Sequence, residues 1–227
     1  PLIYYDGKIM DWMNGRILQA IHTDVGNVSY EYNSNGVRTA KTVNNIRTEY
    51  LRDAEDRLLG EETQGEYLWY LYDATGKAAG YEWQGNSYYY VRNAMGDVEG
   101  ISDMEGNLLC SYYYDAWGNV TEVTGDKELA EKNSIRYRGY YYDEESGFYY
   151  LKTRYYDPEA KRFLNRDCLE NESNLYQYCY NNPVNYSDES GMSAYSCSDR
   201  YVEIVELSGY TMSTMTIIPG GSKYMVS

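Results

Sequence analysis

Tyr67-Leu68-Trp69-Tyr70-Leu71-Tyr72-Asp73-Ala74-Thr75-Gly76 is a run of residues suited to a pleated, half-buried surface, closed by a turn signal. In such a turn the Asp side chain caps the backbone and Gly supplies a positive φ. The pattern recurs along the chain. Tyr30, Tyr50, Tyr70, Tyr90 and Tyr112 are each followed three residues later by Asn33, Asp53, Asp73, Asn93 or Asp115. Three residues further on stand Gly36, Asp56, Gly76, Gly96 and Gly118. A Tyr-x-x-Asp/Asn-x-x-Gly unit repeated about every 20 residues is one supersecondary element that cannot bury its apolar side alone and stacks on its neighbours. Each unit reads as strand, tight turn, strand. Joined end to end, the units predict one antiparallel sheet, whose escape from open edges is to coil or close. Residues 1–29 fit this register poorly and read as a degenerate unit.

Composition narrows what such a sheet can do. Among 227 residues there are 31 Tyr and only 2 Phe. A tyrosine ring buries a large area only if its hydroxyl keeps a partner or reaches water, which favours thin sheets with each ring half covered. A net charge of −15 argues against binding nucleic acid, because no basic stripe exists to release counterions from phosphate. The acidic balance is most simply a solvated exterior. Cys110, Cys168, Cys179 and Cys197 form neither a dense disulfide framework nor a paired zinc motif, and read as small buried hydrophobes. His22 is the single histidine, which removes most Ser/His or Cys/His nucleophile pairs; it reads as a surface loop residue. No apolar run approaches the roughly 18 residues of a membrane span, and no signal peptide opens the chain. Beginning at Pro1, it reads as the C-terminal piece of something longer.

The repeat period ends near residue 124. Gly125 to Asn133 holds good helix formers, with Glu128 and Lys132 at i, i+4, and predicts a helix of about two turns. Residues 125–192 form a second region, and 193–227 a short extension with candidate strands at Tyr201 to Leu207 and Thr211 to Ile218. The alternating Tyr201 to Leu207 segment suits an added edge strand. At this length the extension is too small to bury a stable core by itself.

One segment carries a family resemblance. It runs Ile135-Arg136-Tyr137-Arg138-Gly139-Tyr140-Tyr141-Tyr142-Asp143, Ser146-Gly147-Phe148-Tyr149-Tyr150-Leu151-Lys152-Thr153-Arg154-Tyr155-Tyr156-Asp157-Pro158 and Arg162-Phe163-Leu164-Asn165-Arg166-Asp167. It ends in Asn174-Leu175-Tyr176-Gln177-Tyr178 and Asn181-Asn182-Pro183-Val184-Asn185-Tyr186. This closely resembles the RHS-repeat-associated core domain of bacterial Rhs and YD-repeat proteins, and the units at 30–118 look like the YD repeats that precede that core. The resemblance implies an all-β fold: an antiparallel YD-repeat sheet over 1–124, spiralling as part of a hollow shell, then the core domain over 125–192 as a plug. It implies encapsulation and delivery of a C-terminal polypeptide, commonly a toxin, by a secreted or cell-surface bacterial protein. The implied partners are that cargo, upstream repeats, and an immunity or secretion-system protein; no cofactor or metal is implied.

In many members of that family the core is an aspartic autoprotease with two Asp-Pro-x-Gly-Leu motifs. By resemblance the first aspartate is Asp167, preceded by Arg166, and the second is Asp188 in Asp188-Glu189-Ser190-Gly191-Met192. The cut would then fall between Met192 and Ser193. Two carboxylates held close do not both ionise easily; the ionised one can activate water while the protonated one polarises the scissile carbonyl. Arg166 would offset charge nearby. For the two aspartates to meet, Asn174 to Tyr178 and Val184 to Tyr186 are expected to fold back as strands on the turn at Asn181-Asn182-Pro183. The chain departs from the pattern: Cys168 and Glu189 replace the prolines, Glu170 stands near the first glycine, and Met192 replaces the leucine. Both aspartates thereby lose a conformational clamp. Two other readings stay open. One is a non-catalytic shell or surface scaffold, in which the aspartates are turn residues. The other is a choline-type cell-wall binding repeat, against which none of Trp12, Trp69, Trp83 or Trp117 follows a glycine.

Overall fold

The computed structural model describes residues 1, 3–24, 26–167, 174–188, 190–192 and 194–196, with 195–196, 202–204 and 213–215 described by their backbone alone. Thirteen strands pair in chain order into one antiparallel sheet. They are β1 (Tyr4–Tyr5), β2 (Lys8–Met13), β3 (Ile17–Thr23), β4 (Gly26–Tyr32), β5 (Arg38–Val43), β6 (Ile46–Arg52) and β7 (Leu58–Thr63). The run continues through β8 (Glu66–Tyr72), β9 (Ala78–Trp83), β10 (Asn86–Arg92), β11 (Val98–Ser102), β12 (Leu108–Tyr114) and β13 (Val120–Gly125). Residues 1–29 are therefore no break in the array: they lack the Tyr-x-x-Asp/Asn signature, yet β2 pairs with β3 and β3 with β4, with a bulge between Asp11 and Trp12 like those of the later units. His22 correspondingly lies within β3, hydrogen-bonded to Asp11 and Asn27, and not in a loop.

The repeated motif has a direct structural meaning. In the Asp73 turn, Oδ1 accepts from the backbone N–H of Thr75 and Lys77 while the Gly76 N–H donates to the Asp73 carbonyl. Asn33, Asn93 and Asp115 do the same at their turns. The third residue after each Asp or Asn has positive φ, which explains glycine there; Asp56 adopts it at 62° without that freedom. A bulge precedes every one of these turns, for example between Leu71 and Tyr72. The residue at the bulge reaches back across the sheet to donate to a main-chain carbonyl: Tyr32 to Leu18, Arg52 to Arg38, Tyr72 to Leu58, Arg92 to Ala78 and Tyr114 to Val98. Each bulged end is stapled to its neighbour, at about 1 kcal/mol per such bond.

After β13, Asp126 caps a short helix, α1 (Lys127–Lys132), by accepting from the Leu129 N–H. A second sheet follows, built from β14 (Tyr141–Asp143), β15 (Phe148–Tyr150), β16 (Tyr155–Asp157) and β17 (Arg162–Phe163). Among the described residues the fold is all-β apart from α1 and short 3-10 turns. The rings are not half covered as composition suggested. One face of the second sheet packs on the repeat sheet, so Tyr30 meets Tyr155 and Tyr50 meets Tyr141, both at 5.5 Å between ring centres. Tyr81, Tyr112, Tyr137, Tyr149, Tyr156 and Tyr178 are essentially fully buried. Most of these hydroxyls reach main-chain carbonyls, as Tyr112 does to Ala130 and Tyr149 to Gly118. Tyr30 and Tyr50 have buried hydroxyls with no hydrogen-bond partner among the described residues; their rings instead face the Arg38 guanidinium at 5.2 and 4.9 Å.

Cys110 and Cys179 are buried, and burial pushes the Cys110 thiol up to about 11. Cys168 and Cys197 lie outside the described residues. β18 (Tyr186–Ser187), near the end of the second region, pairs with β19 (Tyr195–Ser196) of the extension, and β20 (Val202–Ile204) pairs with β21 (Ser213–Met215) in a separate two-stranded sheet. Of the alternating segment Tyr201 to Leu207, the described strand Val202–Ile204 pairs with Ser213–Met215; the rest of it lies outside the described residues.

Candidate functional site

The turn Leu151 to Arg154 joins β15 to β16, with Lys152 at φ 60° and the Leu151 N–H donating to the Arg154 carbonyl. Arg154 therefore emerges at the end of the second sheet. After β17 the chain runs back past it: the Leu164 N–H bonds the Tyr155 carbonyl, and the Tyr155 N–H bonds Asn165 Oδ1. Asp167 is thereby carried to the same end, its own N–H held by the Leu175 carbonyl. From the other direction β18 delivers Asp188, whose N–H donates to the Tyr140 hydroxyl. That hydroxyl is paired with the Tyr178 hydroxyl, and both phenols are raised well above their ordinary value by burial.

Arg154 joins these pieces. Its guanidinium lies 2.8 Å from Asp167 Oδ2 and 3.1 Å from Asp188 Oδ2, and its Nε donates to the Gly191 carbonyl. The guanidinium stacks over the Phe163 ring at 3.6 Å. All three charged side chains are more than nine-tenths buried. The segment Asp188 to Met192 is folded around the aspartate: Oδ1 accepts from the N–H of Ser190 at 3.3 Å and of Met192 at 3.1 Å. Gly191 sits at φ 71° against the neighbouring turn, where a Cβ would lie 2.7 Å from the Leu151 carbonyl oxygen, so no other residue fits without strain. Thr153 Oγ1 lies 2.8 Å from both the Ser190 and Gly191 carbonyls.

The structure thus brings Asp167 and Asp188 to one cation and places Met192 within a hydrogen bond of Asp188. Arg166 is half-buried directly before Asp167. Ser193, Cys168, Glu170 and Glu189 lie outside the described residues. The route by which the aspartates meet is not the expected one. Asn174 to Tyr178 and Val184 to Tyr186 do not pair with each other: Leu175, Tyr176 and Gln177 lie along Arg162 to Asp167, and Cys179, Tyr180 and Asn181 make a 3-10 turn, all at positive φ. Arg154 was missed because its partners are remote in sequence, Asp188 lying 34 residues away. The available signal was its place in a run of family-like residues otherwise composed of strand aromatics. Among the described residues no group of three or more His, Cys, Asp and Glu is gathered as for a metal ion. No helix there is long and apolar enough to cross a membrane.

A tyrosine-anchored hairpin array packed against a small aromatic sheet defines a class of protein: a β-repeat sheet followed by a short aromatic sheet domain. No family model matches the chain. The tRNA3(Ser)-specific nuclease WapA of Bacillus spizizenii is 40% identical over 172 residues, which cover 72% of this chain and 7% of the nuclease. Toxin protein Tse5 of Pseudomonas aeruginosa is 36% identical over 94 residues, covering 40% of this chain and 7% of that protein. The structure of the Photorhabdus luminescens Tc holotoxin pore superposes with a TM-score of 0.65 at 19% identity, over 94% of this chain and 11% of the other. The chain belongs to the bacterial Rhs/YD-repeat family. It spans about 7% of the length of the WapA relatives it matches.

Proposed function

We propose that the chain is the closing part of a secreted or surface-exposed Rhs shell, its repeats forming wall and residues 125–192 the plug, which encapsulates and delivers a C-terminal polypeptide. Its relatives include proteins named as toxins and nucleases, which supports a delivery role. The partners in this reading are the cargo and upstream repeats. The finer part of the proposal is self-cleavage between Met192 and Ser193 by Asp167 and Asp188, with Arg166 beside them. The observation that carries it is the single buried knot in which Arg154 holds both aspartates and the Gly191 carbonyl, one residue before Met192. In that knot one carboxylate would activate a water and the other polarise the Met192 carbonyl.

A second reading, a plug without catalysis, is favoured by the same arginine. A guanidinium set between two carboxylates balances their charge without a shared proton, as a structural ion triad does. Intact mass on long incubation separates the two. Self-cleavage predicts a cut after Met192 in the chain and none in Asp167→Asn or Asp188→Asn. An intact chain throughout establishes the scaffold.

A further inference from the structure

A cavity of about 390 Å³ lies between the repeat sheet and the second sheet. The chain has 35 acidic side chains and 20 Lys and Arg, yet no acid lines this cavity. Arg52, Arg57, Lys77, Arg92 and Lys152 line it, together with the buried Arg38 and Arg138. A chance sampling of this surface would give acids the majority.

The cations differ in how far their charge is already met. Arg38 is bound to Asp143, Arg138 to Asp97 and Arg57 to Asp53. Arg52 donates to the carbonyls of Arg38 and Asp56, and Arg92 to that of Ala78, so the groups these hydrogen bonds reach are neutral. Lys77 and Lys152 form no described ion pair. Arg92 also has a buried Nε without a hydrogen-bond partner. Burial holds its guanidinium below its ordinary value despite the field of Asp73. Four cations around one cavity thus lack a carboxylate hydrogen bond, and the tyrosines 50, 72, 140, 141 and 150 supply its apolar wall.

We propose that this cavity binds a small multivalent anion, one carrying at least two phosphate or carboxylate groups. A single monovalent ion would leave most of the charge unmet. Arg52 and Arg92 present planar forks suited to such oxygens, and Lys77 and Lys152 supply mobile point charges. The volume falls in the range of small-molecule sites, roughly 300–1,000 Å³. A polyanionic macromolecule is disfavoured because the remaining surface is strongly acidic.

The test is calorimetric titration of the whole chain with inorganic pyrophosphate and, separately, citrate, repeated on Lys77→Gln/Lys152→Gln. Both lysines are exposed, so the variant is expected to fold as the parent does. The expected result is saturable one-to-one binding of at least one anion, weakened at least tenfold in the double variant with an unchanged melting temperature of the free protein. Tighter binding of pyrophosphate assigns phosphate chemistry to the site, and tighter binding of citrate assigns carboxylate. No saturable binding of either anion, or equal affinity in parent and variant, overturns the proposal.

Discussion

Arg38 shows how a single residue ties the two sheets together. It extends from β5 into the second sheet, where it forms a two-point contact with Asp143, at 2.5 and 3.0 Å. The rings of Tyr30, Tyr50, Tyr141 and Tyr150 surround the guanidinium at 4.4 to 5.2 Å. Both charged side chains are essentially inaccessible. Burial raises the Asp143 carboxyl, but the charges of Arg38 and Lys41 outweigh that and leave it below its ordinary value. Removing one partner leaves the other charge buried and only partly met. Arg38→Met is expected to cost about 3–5 kcal/mol in urea unfolding, whereas Arg38→Met/Asp143→Leu recovers part of it; equal losses in both variants would show that ring packing dominates. Because the folded value of Asp143 lies below the unfolded one, its stabilising contribution is present above about pH 4 and is lost as pH falls through the folded value. None of this was legible in the sequence. Gly36-Val37-Arg38-Thr39 gives no sign of burial, and the partner stands 105 residues away.

At the scale of the element, strand and turn identity were readable because both rest on local chemistry: aromatic runs for the strands, Asp or Asn with Gly for the turns. The α1 helix was readable for the same reason. A second periodicity was present and passed over. Ala20, Ala40, Gly60, Gly80 and Gly100 recur every 20 residues, within β3, β5, β7, β9 and β11. They keep one place in the register, opposite the residue before the bulge, as Gly80 is opposite Leu71 and Gly60 opposite Leu51. Their smallness answers a close approach on the other side: a Cβ at Gly80 would lie 2.0 Å from the Tyr88 carbonyl oxygen. A backbone atom cannot rotate away as a side chain can. Gly80→Ala is therefore expected to destabilise by about 1–3 kcal/mol through overpacking, although alanine favours regular structure. A thermal melt unchanged from the parent would show that β10 shifts freely. The site residues were legible only in part. Asp167 and Asp188 could be placed by motif, whereas the knot that joins them depends on Arg154 and on a turn in which Asn181 announces positive φ but Cys179 and Tyr180 do not.

Taken as a whole, the repeat sheet has β1 as an edge strand among the described residues. Among the described residues β1 pairs with β2 alone, and it carries Ile3 and Tyr4 at 67% and 68% exposure beside it. The other end, β13, runs directly into α1, whose Leu129 and Ala130 are buried against the wall. In the proposed shell a strand from another repeat would pair with β1. In this chain by itself, the row of unpaired backbone groups is a template for a second copy. Two effects then oppose each other. Edge pairing and burial of Ile3 and Tyr4 favour association, and the net charge of −15 on each copy disfavours it through a field that salt screens over about 8–10 Å near physiological strength. Association is therefore expected to rise with salt as well as with concentration, the reverse of a contact built on ion pairs. Light scattering coupled to size exclusion, at low and high sodium chloride, reads this directly. Ile3→Lys/Tyr4→Lys should hold the chain monomeric under both conditions, because it puts charge at the edge that a second copy must cover. A dimer that persists in that variant would locate the contact elsewhere, on the outward face where Tyr67 and Trp69 stack in parallel at 5.9 Å.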